Sequence, residues 1–266
     1  MWFPCDEIKE LNLDLPKKLG IKINYLKIRK TEFGEEIKDI SNLDFIDLEE
    51  IRNFKTAKRS EEHATGRYLL FQMFRKNFPS IDTKLIRVSR DENRAPYFEW
   101  KDNTYETELL PNFSISTTRG MAIVAISNAD LRIGIDVEIS NQSRSKNLLE
   151  FLSNGLELEK IKLLYESDGN NTLNKIWTIK ESILKALRVG MSISPTQIKI
   201  MNKNNKFEQN INYDGSLIIF KNYLIKFKEE YFLSIAYGKL KSAGPGNRTR
   251  TAGLEGQNHT ARPVLQ

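Results

Sequence analysis

The sequence predicts an α+β fold of two lobes, and three observations carry that reading. Apolar patterning runs strand, helix, strands, then helices, then strands again along the chain. The 266 residues, 39% apolar and 29% charged, suffice for two lobes with buried cores. The change of pattern falls near residues 130–140, which divides the chain into an N-terminal lobe over 1–130 and a C-terminal lobe over 131–241. Residues 242–266 turn rich in Gly, Ala, Arg and Thr with almost no large apolar side chain, and are expected to be a disordered tail.

Taken in order, residues 21–28 alternate apolar and polar and read as a strand. Residues 44–76 carry an apolar stripe including Ala64, Leu69, Phe71 and Phe74, the mark of one helix that Pro79 ends. Residues 85–88 read as a strand and Asp91-Glu92-Asn93-Arg94-Ala95-Pro96 as a turn. Met121–Ser127 and Arg132–Ile139 are apolar strands, and Asn128-Ala129-Asp130 between them predicts a hairpin. Helical spacing follows over 147–165 and 174–188, with a loop at 167–171. Strands are expected again at 198–201, 217–220, 223–227 and 231–236.

Composition narrows the chemistry. There is no apolar run of eighteen residues, and the N-terminus lacks the layout of a secretory signal. The single Cys5 leaves no internal disulfide and suits a reducing, cytoplasmic setting. With only His63 and His259, a histidine metal cluster is not available, so group transfer has to rest on carboxylates, lysines and a hard metal ion. The formal charge of +6 suits an anionic partner, or simply solubility.

Two segments bear that chemistry. In Gly134-Ile135-Asp136-Val137-Glu138, a strand turns the isoleucines and valine one way and both acids the other. Two residues of rise bring the carboxylates within about 6–7 Å, close enough to share one cation. Oxygen ligands of this kind suit Mg²⁺ held together with substrate phosphates. In the helix that follows, Trp177, Glu181 and Lys185 recur every fourth residue and form one stripe. Glu181 could add a third oxygen while Lys185 meets a phosphate. Each segment alone also suits a half-exposed strand, or a surface Glu–Lys pair contributing a few tenths of a kcal/mol.

Together the segments resemble the G-I-D-x-E and W-x-x-K-E-x-x-x-K signatures of the 4′-phosphopantetheinyl transferase family. The size and two-lobed layout look like its larger, Sfp-like branch. Lys58 to Arg67 is similar to the basic helix of that branch, and Arg94-Ala95-Pro96-Tyr97 to the turn leading into Phe113-Ser114-Ile115-Ser116. The resemblance implies two similar lobes packed side by side about a pseudo-two-fold, each a small, mostly antiparallel sheet with helices. It implies transfer of the phosphopantetheine arm of coenzyme A to a serine of an apo acyl or peptidyl carrier protein, with release of 3′,5′-adenosine bisphosphate. Such carriers serve fatty-acid, polyketide or nonribosomal peptide synthesis. Asp136, Glu138 and Glu181 would hold Mg²⁺, with Mn²⁺ as a substitute. Lys58, Arg59, Arg67, Arg94, Lys180 and Lys185 would meet coenzyme A, with Ser116 and Thr117 adding hydroxyl donors. Asp136, Glu181 and Lys185 would be catalytic, and either Glu181 or a metal-bound water would take the serine proton. The expected partners are coenzyme A and the carrier protein, with neither nucleic acid nor membrane, and the expected state is a monomer.

The sequence departs from the family pattern twice. Thr117 stands where histidine is usual, with Arg119 as the nearby cation that could compensate, and Leu187-Arg188 replaces a usual glycine. A threonine hydroxyl donates a hydrogen bond but brings no charge. Two rival readings remain at this point: a paralogue that binds coenzyme A or a carrier protein without catalysis, and a Mg²⁺-dependent nuclease or phosphodiesterase.

Overall fold

The computed structural model describes residues 7–15, 17–27, 44–102, 109–118, 121–200, 208–213 and 216–239. The expectations for Ile28, Arg119, Met201 and the 242–266 tail lie outside the described residues. The architecture is α+β, with small antiparallel sheets and helices packed in layers.

One four-stranded antiparallel sheet has the order β1-β2-β6-β5: β1 is Lys9–Glu10, β2 Lys22–Lys27, β5 Asn112–Thr118 and β6 Met121–Ser127. The other has the order β7-β10-β9-β8: β7 is Leu131–Ile139, β8 Glu208–Tyr213, β9 Ser216–Phe227 and β10 Tyr231–Lys239. A separate hairpin pairs β3, Ile86–Arg90, with β4, Pro96–Trp100. Strand alternation then assigns the cores. Ala122, Val124 and Ile126 of β6 pack with Leu69, Leu70 and Phe74 of α2, Ala57–Asn77. Met121, Ile123 and Ala125 face the second sheet and meet Ile133, Ile135 and Val137 of β7. The far side of that sheet supports α5, Asn170–Leu187, through Phe220 and Ala236.

Several elements differ from the sequence reading. The stretch 44–76 is two helices, α1 at Leu48–Arg52 and α2, because Thr56 turns extended and caps α2 by accepting from the Arg59 N–H at 3.2 Å. Likewise 147–165 splits into α3, Leu148–Leu152, and α4, Gly155–Asp168. The expected 167–171 loop shrinks to Gly169, whose φ of 53° lets α5 start at once. Residues 198–200 are not a strand; Ile198 and Ile200 are buried under the helices.

The most consequential correction concerns residues 128–130. They do not close a hairpin: β6 pairs with β2 and β5, while β7 pairs with β10. The turn passes the chain from one sheet to the other. At the seam, β5 lies beside the free edge of β7, and serine hydroxyls replace the missing ladder. Ser114 Oγ accepts from the Ile135 N–H at 3.0 Å and Ser116 Oγ from the Val137 N–H at 3.1 Å. Buried N–H groups on an edge strand are thereby satisfied without a fifth strand.

Candidate active site

Gly134 allows the site to form. A Cβ at this position would lie 1.9 Å from the Ser182 carbonyl oxygen and 2.4 Å from the Ala186 nitrogen, so α5 can rest directly on β7 only because the side chain is absent. That contact brings the two sequence segments together. Lys185 Nζ lies 2.7 Å from Asp136 Oδ1, and Trp177 Nε1 donates to Glu138 Oε1 at 3.0 Å. Beneath the helix, Ser182, Ser234 and Asn222 form a buried hydrogen-bonded cluster with contacts of 2.8–2.9 Å, holding α5 against β9 and β10.

The acids are not equivalent. Asp136 is 4% exposed; its Oδ1 accepts from Ser116 Oγ at 2.9 Å and from Lys185, while its buried Oδ2 has no hydrogen-bond partner. Glu138 forms an ion pair with Arg144 at 2.9 Å, and the Arg144 guanidinium stacks over Trp177 at 4.7 Å. Burial, reinforced by the Asp136 charge, pushes the Glu138 carboxyl above its ordinary value against the pull of Arg144. Burial does the same to Glu181, opposed by Lys185 and aided by the charges of Asp136 and Glu138. Glu181 forms no hydrogen bond or ion pair with the described residues, although Lys185 lies one turn away.

Among the described residues, no three His, Cys, Asp or Glu side chains stand close enough to hold a metal ion as they are. Lys185 pairs with Asp136 and Arg144 with Glu138, so side-chain cations neutralise two of the three expected carboxylates. The donor chemistry nevertheless fits a hard divalent cation. An unpartnered buried carboxylate oxygen and two carboxyls raised by burial and by neighbouring acids are relieved by positive charge.

Beside Glu138 a cleft of about 660 Å³ opens between the sheets' helical and loop coverings, lined by Lys58, Glu62, Thr117, Thr118, Glu138, Ile139 and residues 141–144. A cavity of about 730 Å³ runs along residues 10–15, Lys17, residues 20–23 and Tyr223, but holds none of the motif acids. The smaller cleft is the chemically relevant one, since it holds Glu138 and two basic side chains.

Of the other expected ligand contacts, Lys58 and Thr117 line this cleft. Arg59 is exposed and sits 3.7 Å from Glu62, and Arg94 is exposed on its turn. Arg67 is buried, 3.6 Å from Glu50, with its Nη1 unpartnered, in a cluster that includes His63 and Arg90. Neither Ser116 nor Lys180 lines this cleft. Ser116 has spent its one donor on Asp136, so it supports the acid and has none left for a phosphate. Lys180 is fully buried; its ammonium shares its three donors among Leu152 O, Ser153 Oγ, Glu157 Oε2 and Pro195 O, 2.5–3.2 Å away. It faces away from the acids and ties α3, α4 and the 195 turn to α5.

Sequence reasoning missed Arg144 and Asn174. Asn174 donates to the Ser140 and Gln142 carbonyls at 3.0 and 2.9 Å and accepts from Arg144 Nε at 2.6 Å. No spacing rule marks a lone arginine in a polar loop six residues beyond Glu138. Among the described residues, no helix is long and apolar enough to cross a membrane. Residues 132–236 match the family model described as the 4′-phosphopantetheinyl transferase superfamily. No curated protein matches the chain.

Proposed function

We propose that the protein is a Mg²⁺-dependent 4′-phosphopantetheinyl transferase of the two-lobed, Sfp-like kind, moving the phosphopantetheine arm of coenzyme A to a serine of an apo carrier protein. The observation that carries this reading is the meeting of two distant segments on one face, with Lys185 on Asp136 and the Asp136 Oδ2 left buried and unpartnered. The superfamily match spans both segments.

In this reading Asp136, Glu138 and Glu181 hold the Mg²⁺, which when bound supplies charge stabilisation to the pyrophosphate oxygens. Lys58 and Thr117 receive phosphate groups in the cleft they line. Arg59, Arg67 and Arg94 remain candidates for the more distant phosphate. The carrier serine oxygen attacks the β-phosphorus, and the bond to the leaving 3′,5′-adenosine bisphosphate breaks with its electron pair. Glu181, or a water that it orients, takes the serine proton; Glu181 has no competing hydrogen bond among the described residues. Lys185, already beside Asp136, stabilises the charge that develops on the phosphoryl oxygens.

Intact-mass spectrometry of an apo carrier protein with coenzyme A and Mg²⁺ tests this. A gain of one phosphopantetheine arm, absent without metal and absent for Glu181→Gln, is expected. No gain on fatty-acid, polyketide and peptide carriers, with the protein shown to be folded, would favour the binding-only reading that Thr117 suggests.

A further inference from the structure

Arg144 is more elaborately held than a surface arginine. Its backbone N–H donates to Asn170 Oδ1 at 3.1 Å, its Nε to Asn174 Oδ1 at 2.6 Å, and its guanidinium stacks on Trp177 at 4.7 Å. Asn174 is itself fully buried and fixes the loop by donating to two of its carbonyls. All three anchoring side chains come from the first turns of α5. The guanidinium ends 2.9 Å from Glu138 Oε2, and the same residue lines the cleft shared with Lys58 and Thr117. Trp177 holds the other oxygen of Glu138, so the carboxylate is fully occupied from two sides.

We infer that Arg144 is a hand-over residue: it neutralises Glu138 until a divalent cation takes that carboxylate, and then offers its guanidinium to a phosphate in the same cleft. The inference rests on the proposed metal role of Glu138. Its physical basis is competition. One carboxylate cannot serve a side-chain cation and a metal at full strength, and a desolvated arginine released from its partner needs another anion. The Nε bond to Asn174 and the stacking on Trp177 are independent of Glu138, so they keep the side chain at the cleft when the ion pair opens. A planar guanidinium matches phosphate oxygens.

The distinguishing signature is two effects of opposite sign. Mn²⁺ binding to the full-length protein, followed by electron paramagnetic resonance of the free ion, should be about tenfold tighter for Arg144→Gln, the scale of one charge-assisted hydrogen bond. Coenzyme A binding to the Mn²⁺-saturated protein, followed calorimetrically, should be about tenfold weaker for the same variant. Arg144→Lys should show both shifts at smaller size, and it carries the test if circular dichroism shows Arg144→Gln unfolded. A merely structural arginine would weaken both equilibria. If wild type binds Mn²⁺ and Arg144→Gln binds it equally or less well, the hand-over is overturned and the metal site stands. Tighter Mn²⁺ binding with unchanged coenzyme A affinity overturns the second half, contact with phosphate. If neither protein binds Mn²⁺, the metal reading of Glu138 falls, and this inference with it.

Discussion

Replacing Gly134 by alanine tests the packing on which the site depends. The new methyl would sit 1.9 Å from the Ser182 carbonyl oxygen and 2.4 Å from the Ala186 nitrogen, where ordinary contact begins near 3.4 Å. Both obstructing atoms are helix backbone, so no rotamer change relieves them, and α5 must lift from β7 by roughly 1–1.5 Å. Overpacking of this kind costs about 3 kcal/mol, the upper end of the usual range, because the helix moves as a unit. The same lift opens the 2.7 Å Lys185–Asp136 contact, and a displacement of that size costs about a hundredfold in rate. Urea unfolding gives the first quantity, and carrier-protein mass spectrometry at fixed time points the second. Gly66→Ala is the internal contrast. Its methyl meets side-chain methyls of β5, Ile115 Cγ2 at 2.8 Å and Thr117 Cγ2 at 3.6 Å, and no backbone of a neighbouring element. The helix gains about 1 kcal/mol from alanine, leaving stability near wild type. If Gly134→Ala unfolds within about 0.5 kcal/mol of wild type and transfers at the same rate, close approach at Gly134 does not set the position of α5.

Three further outcomes follow from the buried charges. Lys180→Met should lower unfolding stability by about 3–5 kcal/mol, because Glu157 would be left charged and buried; a loss under 1 kcal/mol in urea would show the network is not structural. Burial alone would raise the Glu50 carboxyl, but hydrogen bonds and charges from His63 and Arg90 pull it down from 4.5 to about 2. Its folded value is depressed, so it contributes stability that is complete above pH 4.5 and lost as pH falls toward 2. Solvent screening of this part-exposed group leaves about 1–2 kcal/mol, and Glu50→Gln should flatten the stability profile in that window; parallel profiles would refute it. Glu181 has the opposite sign: its raised carboxyl favours folding while protonated and opposes it once ionised, as pH rises through the raised value. Metal-free Glu181→Gln should therefore be more stable than wild type at pH 7 and lose that advantage below the ordinary carboxylate range. Equal stability at both pH values would remove the argument from burial.

What the sequence determined by itself is local. Alternation placed Asp136 and Glu138 on one face of β7 and the apolar residues on the other, and a four-residue repeat placed Trp177, Glu181 and Lys185 on one stripe of α5. Both follow from backbone geometry, which acts over a few residues and leaves a period in the sequence. Tertiary structure decided what those faces meet. Residues 128–130 read as a hairpin because a short polar turn between apolar strands is the same signal whether the strands pair or part. Only the competition for partners, β6 with β2 and β5 and β7 with β10, separates the two cases. Lys180 and Lys185 are five residues apart on one helix and looked alike as phosphate ligands. One is sealed beneath α3 and α4 and the other lies against Asp136, because the helix's angle to its neighbours is set by packing against residues far along the chain. Arg144 carries no period at all, and its importance comes from Asn174, Trp177 and Glu138 converging on it in space.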